Sequence, residues 1–140
     1  MVSVALRLRL RLVKGGRSVE VIALVNSGYE TREPEILVPA SIAAQLSLSG
    51  DEPGALVKEY KLADGSTTRL LRIPRAVLVY VVEEDRVVGP VEASLVVAEK
   101  ADEALISDKL AGKLGVVILD LGEGVWCFKD EVGRVFRKTW

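Results

Sequence analysis

Histidine does not occur in these 140 residues. Its absence removes the Ser-His-Asp and Cys-His routes to an activated nucleophile, because no imidazole is present to take the proton. The usual histidine-containing zinc sites go with it, and the single cysteine, Cys127, can build neither a thiolate cage nor an intrachain disulfide. Any hydrolysis must run on carboxylates, lysine or a hard metal held by oxygens, and no cofactor or metal site is expected. Charge of one sign is lacking too: 19 basic and 20 acidic residues leave a net charge of −1, which argues for neither nucleic acid nor membrane as a partner. No apolar run approaches membrane-spanning length, and the N-terminus alternates Leu with Arg instead of carrying an apolar signal core. With one cysteine, that points to a reducing, cytoplasmic address. Asn, Gln and Met occur once each while Val, Leu, Arg and Glu abound, a composition typical of thermophiles.

What is present describes a soluble globular chain: 49% hydrophobic and 28% charged residues, enough for one domain over residues 1–140. Val2, Val4, Leu6, Leu8, Leu10 and Leu12 alternate with Arg7, Arg9 and Arg11, the period of a half-buried strand. Lys14-Gly15-Gly16-Arg17 turns it into a second strand, Ser18 to Val25, that ends at Asn26-Ser27-Gly28. Ile36 to Val38 forms a short strand, and Pro39 opens a helix through Leu46 with Ile42, Ala43 and Leu46 as its apolar stripe. Leu56 to Leu62 and Thr67 to Ile73 flank Asp64-Gly65 as a hairpin; Ala76 to Val82 and Val87 to Val97 form another, with a bulge at Gly89-Pro90. Ser107 caps a short helix that stops at Gly115. Val116 to Leu121 is expected to be a buried strand, Val125 to Phe128 another, and Gly133 to Phe136 one more. The expected class is mainly β, a closed barrel or sandwich with two short helices.

Four segments in this order resemble one lobe of a retropepsin-like aspartic protease, and more closely a group of archaeal proteins with that fold. Ala23-Leu24-Val25-Asn26-Ser27-Gly28 is similar to the family's Asp-Thr/Ser-Gly turn. Pro34 to Pro39, with Ala43 and Leu46, resembles the strand and helix that follow. The hairpin at Asp64-Gly65 stands where the family has its flap. Ala104-Leu105-Ile106-Ser107, then Val117 to Asp120 and Gly124-Val125-Trp126, resembles the closing apolar-apolar-Gly segment, with Ser107 in the glycine's place.

The resemblance implies a homodimer in which each lobe supplies half of a carboxylate dyad sharing one proton. Here the dyad position holds Asn26. A neutral amide cannot take the proton of water near neutral pH, so the chain as written has no catalytic residue, and Asn26, Ser27, Gly28, Asp64 and Gly65 are the expected binding residues. The expected role is a catalytically degenerate, dimeric module that binds an extended peptide or serves a structural purpose. The alternative is an active aspartic endopeptidase, should Asn26 be an engineered or deamidating aspartate position.

Plainer readings accompany each feature. Arg7, Arg9 and Arg11 read as the solvated face of a strand, with protection of a sheet edge as a second role. Trp126 and Phe128 share a strand face and belong to the core or a dimer contact. Cys127 reads as a small buried side chain. Asp102, Glu103 and Asp108 flank a helix start and complement its dipole instead of holding a metal.

Overall fold

Leu8, Leu10 and Leu12 alternate with Arg7, Arg9 and Arg11 along strand β1 (Arg7–Lys14), and all three leucines are fully buried. The computed structural model describes residues 5–25, 28–62 and 64–140, so Val2, Val4, Asn26 and Ser27 from the sequence reading lie outside the described residues. Gly15, in the left-handed region at φ 58°, turns the chain into β2 (Arg17–Val25), which pairs antiparallel along the whole of β1. β3 (Glu35–Val38) leads through Pro39 into helix α1 (Ala40–Gln45), whose Ala43 is buried together with Leu46 beyond its end. β4 (Leu56–Lys61) and β5 (Thr67–Val82) form one hairpin; β5 and β6 (Val87–Val97) form the next. β7 (Ala104–Ile106), α2 (Asp108–Lys113), β8 (Val116–Asp120), β9 (Val125–Phe128) and β10 (Arg137–Lys138) complete the chain.

Six strands run in the order β1-β2-β7-β3-β6-β5, and β5 closes the ring by pairing back to β1 through Leu10↔Val81 to Val13↔Leu78. The fold is mainly β, a closed six-strand barrel with two short helices. Inward residues from every strand meet inside it, among them Leu10, Ala23, Ile36, Val79, Leu95 and Ile106. Trp126 and Phe128 on β9 join the same core, edge to face with centroids 4.9 Å apart, and Cys127 is buried beside them. β4 stands outside the ring and, among the described residues, pairs only with the first part of β5. Among the described residues no helix is long and apolar enough to cross a membrane.

The barrel departs from the sequence reading in four places. Thr67 to Val82 is one strand, not two. Pro74 and Arg75 fall in the irregular stretch between the Ile73↔Leu95 and Val77↔Ala93 pairs, where the missing N–H of proline breaks no ladder bond. The β8 residues expected to be buried are half-exposed to exposed, because β8 is the outer strand of a separate β10-β9-β8 sheet. Residues 133–136 form turn and coil, with the N–H groups of Arg134 and Val135 both bonded to the Glu131 carbonyl; the last strand falls at Arg137–Lys138. β1 is no sheet edge, since β2 and β5 flank it. Its arginines are also less solvated than expected. Arg7 pairs with Glu103 at 2.9 Å, Arg11 with Glu20 at 3.1 Å, and Arg9 lies over the Trp140 ring.

Candidate functional site

β2 and β7 run parallel, in register from Ala23↔Ala104 to Val25↔Ile106, and β7 pairs on its other side with β3. The chain therefore leaves β2 immediately before position 26 beside the point where it leaves β7 at Ser107. Two backbone bonds fasten this junction: Ser107 N–H donates to the Glu35 carbonyl at 3.0 Å, and Asp108 N–H donates to the Tyr29 carbonyl at 2.9 Å. The segment after the turn is thus held against the start of α2. Burial, and then the nearby charge of Glu30, pushes the Asp108 carboxyl up.

Ser107, which stands where the resemblance expects glycine, is fully buried, and its hydroxyl oxygen accepts two bonds. Its Oγ accepts from Leu110 N–H at 3.3 Å as the cap of α2 and from Glu35 N–H at 3.1 Å across the junction. Ser107→Ala is expected to cost about 1–3 kcal/mol, since it removes a cap and strands a buried donor. Urea unfolding of the variant measures this. A loss under half a kcal/mol would mean that the junction does not depend on the hydroxyl.

Glu35 begins β3 and is only 2% exposed, a charge that must be paired to be tolerated there. Three donors satisfy it: the Tyr29 hydroxyl at 2.6 Å, Arg72 Nε at 2.9 Å and the Tyr60 hydroxyl at 3.4 Å. Arg72 also donates to Ser94 Oγ at 3.0 Å and reaches Glu33 at 3.5 Å. Burial, then the hydrogen bond to Glu35, pushes the Tyr29 phenol far above its ordinary value. Burial and the charge of Glu35 do the same to Tyr60. Both phenols stay protonated and serve as donors. The cluster joins the segment after β2 (Tyr29), the floor (Glu35) and both strands of the outlying hairpin (Tyr60 and Arg72).

Two cavities open along this join. One of about 600 Å³ lies between residues 28–33 and the β4 residues 58–61, with Glu35 and Arg72 at its base. The other, of about 440 Å³, is mainly apolar, with Leu37, Leu62, Leu70 and Leu105 in its lining beside Thr68. Gly28, Tyr29, Tyr60 and Lys61 border both, so the two are neighbouring parts of one groove. Such volumes are in the range that small ligands and side chains fill.

Of the residues singled out from the sequence, Gly28 borders this groove, while Asp64 and Gly65 form the tip of the hairpin beside it. The Ser66 hydroxyl, and then Ser66 N–H at 2.9 Å, donate to Asp64 and hold its carboxyl below the usual range; Gly65 takes the left-handed φ of 87° that the turn needs. Asp64 thus serves its own turn. The reading missed Glu35, Tyr60 and Arg72. One signal was available: a lone acid between Pro34 and the apolar run Ile36-Leu37-Val38. Among the described residues no three His, Cys, Asp or Glu side chains are grouped to hold a metal ion. Glu103 is instead paired to Arg7.

No protein-family model matches the chain, and no curated protein sequence does.

Proposed function

We propose that the groove binds an extended peptide segment without cleaving it, in a homodimeric domain of the retropepsin-like kind. The parallel β2–β7 pair carries this reading: it ends two chain segments side by side at the edge of a groove beneath an outlying hairpin. A mainly apolar cavity and an adjoining one edged by charged residues suit every second side chain of an extended chain, since alternate side chains point to the same side. The dyad position is Asn26, so the groove lacks the general base that would turn binding into hydrolysis. A single lobe forms half of a cleft, and a two-fold axis is the common way to complete it.

Material whose residue 26 is verified as Asn by peptide mass mapping is expected to sediment as a dimer at micromolar concentration. It should retain short extended peptides in an anisotropy titration and release no fragments from unfolded protein between acidic and neutral pH. Steady cleavage blocked by an aspartic-protease transition-state mimic would refute the non-hydrolytic role. Absence of any peptide binding would refute the binding role. Asn26→Asp provides a further arm: if the two turns meet across the axis, the variant gains a coupled carboxylate pair and weak activity with an acidic optimum.

A further inference from the structure

The outer edge of β4 is unused. β4 is the last strand of its sheet, and among the described residues no strand pairs with it opposite β5. The hairpin fixes which of its backbone groups are free. Leu62 N–H donates to the Ser66 carbonyl at 2.7 Å, and the register runs from there through Tyr60↔Thr68 and Lys58↔Leu70. Bonded pairs alternate with unbonded ones in an antiparallel ladder, so Tyr60 and Lys58 turn their N–H and C=O groups toward β5. Val57, Glu59 and Lys61 therefore turn theirs outward. The larger cavity runs along this same edge, with residues 28–33 as its far wall. Glu59 and Lys61 are exposed, and neither forms an ion pair among the described residues.

We infer that the bound segment adds to β4 as an antiparallel strand and that Glu59 and Lys61 select its charges: an acidic residue opposite Lys61 and, two positions later, a basic residue opposite Glu59. This rests on the reading of the groove as a peptide site. The outward N–H and C=O groups supply affinity for any backbone, as in other strand additions. Directly opposed charges then discriminate, because opposite signs across a strand pair stabilise and like signs destabilise. The antiparallel sense follows from the shortness of β4 and the general excess of antiparallel pairing. The Glu59-Tyr60-Lys61 stretch of a second copy carries the same charge order. A copy, however, would bring its own β5 alongside β4, whereas a slot walled by residues 28–33 takes a single strand.

The test uses the full chain and short β-prone peptides centred on Glu-Thr-Lys, Lys-Thr-Lys or Glu-Thr-Glu, at low ionic strength. Dissociation constants come from anisotropy, and amide protection is followed by hydrogen exchange. The chain as it stands should prefer Glu-Thr-Lys by about fivefold over either like-charged peptide, and Lys61→Glu should move that preference to Lys-Thr-Lys. The amides of Val57, Glu59 and Lys61 should gain protection on binding, while those of Lys58 and Tyr60, already bonded to β5, should change little. Binding that leaves the three amides unprotected, or a preference that Lys61→Glu does not move, would overturn the inference while leaving peptide binding intact. No binding by any peptide would overturn both. Protection that grows with protein concentration in the absence of peptide would make the occupant a second copy and also overturn it.

Discussion

Arg137→Ala is expected to cost about 3–5 kcal/mol, because it breaks a buried ion cluster and leaves the buried Glu131 with Arg86, at 3.1 Å, in place of two cations. Arg137 is 8% exposed and fastens three parts of the molecule. Its Nε and one terminal nitrogen donate to Glu131 at 2.8 and 2.7 Å, and its two terminal nitrogens donate to Asp85 at 2.8 and 2.9 Å. Glu83 lies 3.3 Å away, and the guanidinium stands over the rings of Phe128 and Trp126. The side chain thus ties β10 to the turn between β5 and β6 and to the core aromatics of β9. Acid should reveal the same cluster. The hydrogen bond from Arg137 holds the Glu131 carboxyl at about 2 against the opposing effect of burial. Its native value is below the ordinary 4.5, so the pair stabilises the fold fully above about pH 4.5, and this contribution is lost as pH falls to about 2. Melting curves should therefore fall more steeply across that window for the chain as it stands than for Arg137→Ala. Parallel curves, or a urea midpoint that Arg137→Ala leaves in place, would show that the cluster does not hold this end of the barrel.

Glu35→Ala should rank next, at about 3 kcal/mol or more, by leaving the Arg72 guanidinium and two phenols without their shared acceptor. Glu35→Gln keeps one carbonyl oxygen, which can still accept from one phenol while the other loses its acceptor, and it removes the charge facing Arg72; its loss should be smaller, about 1–3 kcal/mol. The two should also differ at the hairpin. Tyr60 and Arg72 are its links to the floor, so Glu35→Ala should speed amide exchange in β4 more than Glu35→Gln does. A double-mutant cycle with Arg72→Ala isolates the charged pair. A coupling near zero would mean that the Glu35–Arg72 pair does not help to hold the hairpin.

Local features of this fold were legible along the chain. The leucine-arginine alternation placed four leucines inside, because a strand sends every second side chain to one face. Ser107 read as a helix cap, since a hydroxyl just before a short helix has a local use. What the alternation could not show was how many neighbours a strand has. Val116 to Leu121 is as apolar as a central strand, yet β8 has one neighbour and stays partly open, while the arginines of β1 sit on a strand paired on both sides. The break expected between Ile73 and Ala76 is no boundary, because the cost of Pro74 depends on whether a ladder bond was there to lose. The glutamate-centred cluster was the least legible. Its members come from positions 29, 35, 60 and 72, and nothing local to any of them names the other three.

Distance along the chain also carries a consequence in time. The hairpins β1–β2 and β5–β6 join near neighbours and can zip early, but Ala23 meets Ala104 only after about eighty residues of intervening chain have been gathered in. The β3–β6 pair waits on a separation of about sixty. Barrels ruled by such remote pairings fold on roughly the millisecond-to-second scale. The floor on which Glu35 and Ser107 meet is made by these late pairs. A chain still closing its barrel therefore has no groove, and this part of the surface matures last.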